Sequence, residues 1–84
     1  MITPKLAGVI RESLGLDEYP LTADTTADQV PGWDSLKHIE LIGEVEVAFG
    51  VRFRAFEVVN LPDVGSLQQL VDKKLAEKAA KLAG

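Results

Sequence analysis

The sequence contains no cysteine, and it has only one histidine and one methionine among its 84 residues. Without cysteine the chain can form neither a disulfide framework nor a thiolate zinc site. A single histidine also leaves little material for any other transition-metal centre. The length leaves no room for a second domain, so we expect one small domain that cannot enclose a deep active site.

Long apolar runs are also missing. The segment Met1–Lys5 lacks the apolar stretch of a signal peptide and is not an Arg/Ser-rich transit peptide. No segment approaches the roughly 20 apolar residues that a membrane-spanning helix needs. These patterns predict a cytoplasmic protein without membrane insertion, and we expect it to be a monomer.

Basic residues are scarce in the middle of the chain. Between Glu12 and Glu46 there are nine acidic residues and one basic residue, Lys37, although the formal net charge of the whole chain is only −4. An acidic surface of this kind repels nucleic acid. We therefore exclude nucleic-acid binding and expect partner proteins whose basic patches are attracted to this acidic half.

Local patterns predict the first two helices and a long connection between them. Thr3 followed by Pro4 is a strong helix start, with a capping hydroxyl and then proline at the first helical position. Gly15 is suited to end this helix. After a connection over residues 16–33, apolar residues at helical spacing predict a second helix over Ser35–Phe49.

Two further helices are predicted in the last third of the chain. Residues 55–60 are expected to form a short helix that buries Phe56 and Val59. Ser66 with Gln69 matches a capping box and predicts the start of the last helix, which continues to about residue 80.

No pair of strands is predicted. Residues 51–54 alternate apolar and basic side chains, but a strand without a partner is not stable, so we expect an extended linker there. The predicted fold is therefore all-α, a small up-and-down four-helix bundle with a long loop between helices one and two and a short third helix. Residues 80–84 are expected to be a frayed tail.

Asp34 and Ser35 lie where a loop ending in Pro31 and Gly32 passes into the second helix. Either side chain can cap a helix, and a capping serine contributes roughly 1 kcal/mol. A serine at this place also presents its hydroxyl outside the core, at the positive end of the helix dipole. Capping and covalent attachment are therefore both open interpretations, and they are compatible because Asp34 can supply the cap.

The second helix carries more large apolar side chains than folding requires. Outside its core stripe it has Leu36, Ile39, Glu40, Gly43, Glu46 and Val47. Ile39 alone could widen the core face, but Leu36 and Val47 lie well round the helix from it. A mixed apolar and acidic strip beside a serine is typical of a contact surface.

A hydrolytic site is a weaker interpretation of the same segment. Ser35 and His38 lie three residues apart and could be imagined as a nucleophile and its base. Such a pair needs an orienting third group and an oxyanion site, which an exposed helix end does not offer. We expect His38 to be a solvated helix residue and Trp33 to anchor the loop, and we do not expect an enzyme.

Taken together, these residues resemble the acyl carrier proteins and the related thiolation domains of polyketide and non-ribosomal peptide synthesis. The resemblance covers essentially the whole chain, in length, helix order and acidic middle, and implies a single acyl-carrier-like domain over residues 1–84. The positions that carry it are Gly32, Asp34-Ser35-Leu36, Ile39-Glu40-Leu41, Phe49 and Val64.

The resemblance implies that the Ser35 hydroxyl is joined to 4′-phosphopantetheine, which a phosphopantetheinyl transferase takes from coenzyme A. The thiol of this arm then carries an acyl group as a thioester. It also implies a docking surface for that transferase and for acyl-loading enzymes, ketosynthases and acyltransferases with basic patches. This surface consists of Asp34, Leu36, Ile39, Glu40 and Glu46.

The sequence departs from the carriers of primary fatty-acid synthesis at Lys37, His38, Gly43 and Val47. These departures favour a specialised discrete carrier of fatty-acid, polyketide or related lipid biosynthesis, with specificity set by the altered charge pattern. An aminoacyl or peptidyl carrier of a non-ribosomal pathway remains an alternative. A helical protein-interaction module without a prosthetic group is a further alternative.

Overall fold

The computed structural model describes residues 2–16, 18–59 and 61–83, with side chains as far as Lys81. Over these residues the chain is all-helical, which confirms the predicted fold class. A single 3₁₀ turn, Ala27–Gln29, interrupts the connection between the first two helices. The α-helices are α1 (Pro4–Leu14), α2 (Ser35–Phe49), α3 (Ala55–Val58) and α4 (Val64–Ala83).

The ends of α1 follow the local pattern. The Thr3 hydroxyl accepts a hydrogen bond from the Leu6 amide at 3.3 Å, and Pro4 occupies the first helical position. Gly15 ends the helix in the left-handed conformation, with φ of +67°. A side chain at that φ would be strained, so the glycine provides a conformation that other residues rarely adopt.

The core lies where α1, α2 and α4 face one another. Each of these helices contributes a stripe of apolar side chains at helical spacing, and burying each side chain contributes about 1.5–3 kcal/mol. The fully buried side chains are Leu6, Ile10, Leu41, Val45, Val64, Leu67 and Val71.

The predicted start of α4 at Ser66 is wrong, because the helix begins two residues earlier at Val64. Asp63 is the capping residue, and its Oδ1 accepts from both the amide and the hydroxyl of Ser66, each at 2.8 Å. The amides of Val64 and Gly65 donate to the carbonyls of Thr25 and Ala23, which lie in the loop between α1 and α2. The loop therefore satisfies helix-end donors that no local pattern accounts for.

Gly65 is required where the loop crosses α4. Its amide donates to the Ala23 carbonyl at 2.9 Å. A Cβ atom at position 65 would lie 2.9 Å from both the Cβ and the carbonyl oxygen of Ala23. The backbones of the loop and of α4 approach this closely only because Gly65 has no side chain.

The prediction that Phe56 and Val59 are buried is wrong. Phe56 is 72% exposed and Val59 is 64% exposed, whereas the half-buried Val58 packs against the core. The helix ends at Val58, and the predicted last residue, Asn60, lies outside the described residues. A helix of four residues is too short for its sequence to determine which side faces the core.

At the other end of the chain, α4 continues to Ala83, beyond the predicted end near residue 80. The predicted fraying of residues 80–84 concerns motion and stays a prediction, and Gly84 lies outside the described residues. Within the part of the chain that the structure describes, no helix combines the length and the apolar character needed to cross a membrane.

Candidate functional site

Ser35 is the first residue of α2 and is exposed. The cap of this helix is Asp34, whose Oδ1 accepts from the Lys37 amide at 2.9 Å. No hydrogen bond engages the Ser35 hydroxyl among the described residues. Because the aspartate supplies the cap, the helix does not need the serine hydroxyl, which stays accessible to solvent.

The first amides of α2 are also accessible. The His38 amide donates to the Asp34 carbonyl at 2.8 Å, and the Lys37 amide is capped. Within the described chain the amides of Ser35 and Leu36 have no protein acceptor, as expected for the first turn of a helix. Two free N–H groups and the helix dipole are suited to a phosphate group at this point, so the residues present fit a phosphodiester on Ser35.

An open groove of about 490 Å³ begins beside Ser35. Its walls are mainly apolar and come from the 3₁₀ turn, the loop before α2, α2 itself and the segment that follows α3. A groove of this size and composition can receive a flexible, partly apolar chain attached at its edge. The lining residues that the argument uses are Trp33, Ser35, His38, Ile39, Val59 and Leu61.

The prediction that His38 is a solvated helix residue is wrong. The ring is half-buried, and its Nδ1 accepts from the indole Nε1–H of Trp33 at 3.1 Å. Its Nε2 lies 2.7 Å from the carbonyl oxygen of Val58. Since both ring nitrogens are engaged, His38 is not positioned to act as a base toward Ser35. Trp33 packs partly buried against the core, as predicted.

The exposed strip predicted on α2 is present next to Ser35. Leu36 is 65% exposed and Ile39 is 70% exposed, so Ile39 does not widen the core face. Glu40 is exposed and pairs with Lys37, with Nζ and Oε2 3.3 Å apart. An exposed pair of this kind contributes little to stability, so this surface is not required for folding.

Glu46 differs from the rest of the predicted strip. Its Oε2 accepts from the Phe53 amide at 2.8 Å, which holds the linker after α2 in place. It lies eleven residues beyond Ser35, about 16 Å along the helix.

Sequence reasoning missed Phe56 and Val59, which add exposed apolar surface. No local pattern reveals this exposure, because it depends on how α3 is held.

Comparisons with known proteins support the resemblance to acyl carrier proteins. No family model matches the chain. The chain is 31% identical over 74 residues to the acyl carrier protein of Thermotoga maritima, which covers 88% of this chain and 91% of that protein. It is 32% identical over 73 residues to the anthracycline acyl carrier protein DauA of Streptomyces sp. strain C5, covering 84% of this chain and 87% of that protein.

A solved structure is also similar over most of the molecule. The solution NMR structure of the holo acyl carrier protein from Geobacter metallireducens has a TM-score of 0.81 and 38% sequence identity, covering 93% of both chains. The relatives are carrier proteins, and their family implies a phosphopantetheine prosthetic group. A third relative, the anthracycline acyl carrier protein DpsG of Streptomyces peucetius, is 31% identical over 89% of this chain and 92% of its own length. With these similarities in sequence and fold, the chain belongs to the acyl carrier protein family.

Proposed function

We propose that Ser35 carries 4′-phosphopantetheine and that the protein presents acyl thioesters on this arm to biosynthetic enzymes. The observation that carries the proposal is the division of roles at the start of α2. Asp34 caps the helix, so the exposed Ser35 hydroxyl and the two first amides are available to a phosphodiester. The arm, when bound, supplies the thiol that holds the acyl group.

The residues of the chain have limited roles in this function. In the transferase reaction the Ser35 hydroxyl loses its proton, and its oxygen forms the new P–O bond as adenosine 3′,5′-bisphosphate leaves from coenzyme A. With the arm attached, the Ser35 and Leu36 amides would be available to donate to the phosphodiester. The thioester chemistry belongs to the arm and to the partner enzymes, and the protein acts as their substrate rather than as a catalyst.

The proposed docking surface is centred on Asp34, Leu36, Ile39 and Glu40, where exposed apolar side chains are bordered by carboxylates. This pattern suits the basic patches of a phosphopantetheinyl transferase, acyl-loading enzymes, ketosynthases and acyltransferases. Glu46 belongs to the proposal as its distal member, although its carboxylate also holds the linker. The protein is proposed to work as a cytoplasmic monomer, with residues 1–84 forming one carrier domain.

For the pathway, we favour a specialised discrete carrier of polyketide, fatty-acid or related lipid biosynthesis. Two of the similar proteins are anthracycline carriers by name, and the Lys37–Glu40 pair reduces the acidity of the strip next to Ser35. An aminoacyl or peptidyl carrier shares the same attachment chemistry and is the alternative. The intact mass of the species loaded in cells distinguishes an acyl from an aminoacyl cargo.

The test of attachment is incubation with coenzyme A and a broad-specificity phosphopantetheinyl transferase, followed by intact mass spectrometry. The wild-type chain is expected to gain one phosphopantetheine, and Ser35→Ala is expected to gain none. Ser66→Ala is the matched control, because Ser66 also lies in the first turn of a helix but its hydroxyl donates to Asp63. It should be modified like the wild type. A folded wild-type sample that gains no mass would contradict the proposal and favour an interaction module without a prosthetic group.

A further inference from the structure

The short helix α3 is held by two polar contacts that reach different helices. On one side the Val58 carbonyl oxygen lies 2.7 Å from Nε2 of His38 in α2. On the other side the Glu57 carboxylate pairs with Lys74 of α4 at 2.9 Å. A single helical turn has little stability of its own, so these two contacts, together with the packing of Val58 against the core, determine where α3 lies.

The partners of His38 determine the tautomer of its neutral ring. The indole N–H of Trp33 can only donate, so Nδ1 of His38 must be the acceptor in the 3.1 Å hydrogen bond. In the neutral ring the proton then resides on Nε2, which donates to the Val58 carbonyl. The indole and imidazole rings also stack, with centroids 6.0 Å apart and planes 24° from parallel. One imidazole therefore links the loop before α2, α2 itself and α3.

The segments that His38 links are those that surround the groove beside Ser35. Trp33 and Val59 line this groove together with His38 and Ile39. His38 follows Ser35 by three residues, which is slightly less than one helical turn. A small void of about 20 Å³ lies between Trp33, His38 and residues of the α4 side. The ring thus closes the groove toward the core.

We propose that His38 is a positioning residue that holds Trp33 and α3 at a fixed separation across the groove, and so sets how far the groove opens to the arm. The proposal rests on the proposed attachment of the arm at Ser35. With the Val58 bond in place, the exposed Val59 stays beside Ile39 at the groove. Without it, the Glu57–Lys74 pair is the remaining polar contact between α3 and another helix within the described residues, and the groove widens on the side nearest Ser35.

The first experiment measures amide hydrogen exchange in the apo protein, where no arm is needed. In His38→Ala the amides of Glu57 and Val59, which are hydrogen-bonded within α3, should exchange about fivefold faster, as expected for the loss of one hydrogen bond. His38→Gln should restore slow exchange, because its side-chain N–H can still reach the Val58 carbonyl. His38→Asn places an acceptor near Trp33 but reaches less far, and it should not restore slow exchange.

The second experiment measures the groove itself. Acrylamide quenching of Trp33, the one tryptophan of the chain, should increase in His38→Ala and return toward the wild-type value in His38→Gln. In the acylated holo protein, hydroxylamine should cleave the thioester faster in His38→Ala, because the arm is less covered. Lys74→Met is the matched control, since it releases α3 from α4 and leaves the ring of His38 in place. It should accelerate α3 exchange while changing Trp33 quenching little.

Two results would overturn the proposal. One is unchanged α3 exchange and unchanged Trp33 quenching in a folded His38→Ala protein. The other is an equal effect of Lys74→Met and His38→Ala on Trp33 quenching, together with no difference between His38→Gln and His38→Asn. That result would mean that His38 has only a general structural role. If His38→Ala does not fold, the comparison of Gln with Asn decides the question. Failure of the attachment itself is seen separately, as missing phosphopantetheine in the intact mass, while the apo exchange data still test the contact.

Discussion

The starts of α2 and α4 both combine a capping aspartate with a serine in the first turn, and they differ in which hydrogen-bond donors are left free. Each helix follows an aspartate whose carboxylate accepts from the third amide of the helix, Asp34 from Lys37 at 2.9 Å and Asp63 from Ser66 at 2.8 Å. In α4 the two earlier amides donate to loop carbonyls at 2.8 and 2.9 Å. In α2 the corresponding amides have no acceptor among the described residues.

The serines in the two first turns differ in the same way. The Ser66 hydroxyl donates to Asp63 at 2.8 Å, so it is used within the helix cap. The Ser35 hydroxyl is exposed and makes no such bond within the described chain. An attachment site of the proposed kind is therefore a helix start at which the preceding aspartate supplies the cap, while the serine hydroxyl and the first amides make no hydrogen bond within the described chain. A capping motif in the sequence does not reveal this difference.

The largest effect on stability is expected where the loop closes over α4. Gly65→Ala should lower the free energy of unfolding by about 1–3 kcal/mol, because the new Cβ would lie 2.9 Å from the carbonyl oxygen of Ala23, a backbone atom that cannot move aside easily. Gly43→Ala is the control in α2, where a Cβ meets no atom within 4 Å. It should raise stability by about 0.5–1 kcal/mol through helix propensity. Urea unfolding measures both, and a stabilised Gly65→Ala variant would contradict the close approach.

The next largest effect on stability is expected from removing the aspartate caps of α4 and α2, and the two losses should be unequal. Asp63→Ala is expected to cost about 2 kcal/mol, because it removes the acceptor of both the Ser66 amide and its part-buried hydroxyl. Asp34→Ala removes one exposed cap bond and should cost about 1 kcal/mol. Asp34→Asn keeps an acceptor and serves as the control, with nearly wild-type thermal unfolding. Equal losses from the two alanine variants would show that the ends are not as different as the hydrogen bonds indicate.

A smaller effect is expected on the acidic surface beside Ser35. Glu40→Lys should slow phosphopantetheine transfer about fivefold at low salt, which corresponds to about 1 kcal/mol for an exposed charge contact. Glu77→Lys changes an exposed acid of α4 in the same way and should leave the rate nearly unchanged. The difference should shrink as salt is added. If both variants transfer at the wild-type rate at low salt, Glu40 is not part of the docking surface.

The smallest effect concerns the contact of α3 with α4. The hydrogen bond from Lys74, followed by that from the Arg54 amide, holds the pKa of Glu57 below its usual value. Because the pKa is lower in the folded protein, the stabilisation is present above the pKa of the unfolded chain and is lost as the pH falls through the folded value. The stability difference between the wild type and Glu57→Gln should therefore be constant near neutral pH and disappear on acidification. A difference that persists in acid would exclude this ionisation as its source.

The parts of the fold that follow from neighbouring residues were predictable. Thr3 with Pro4, and Gly15, determine the ends of α1 because each acts on the turn next to it. Asp34 could likewise be recognised as a possible cap of α2. At the site, the exposure of Leu36 followed from its angular distance to the core stripe, a property of helical periodicity alone.

The features that sequence reasoning missed depend on contacts between distant segments. Asp63, rather than Ser66, caps α4, and the loop supplies acceptors for the two amides that follow it. His38 is engaged rather than solvated because the Val58 carbonyl, twenty residues away, meets its ring. A short helix can turn either face to the core. The exposure of Phe56 therefore depends on the contact between Val58 and His38 and could not be predicted from the local sequence.

By itself the sequence determined that this chain forms a small helical domain with a serine at the start of α2, since helix periodicity and capping are local. Its resemblance to the acyl carrier proteins then indicated a carrier. Only the tertiary structure decided which donors at that helix start remain free, because the loop between α1 and α2 satisfies the donors of α4, whereas no described segment supplies acceptors for those beside Ser35. The tertiary structure likewise placed His38 between Trp33 and α3, since a hydrogen bond between segments requires both to be brought together by the core.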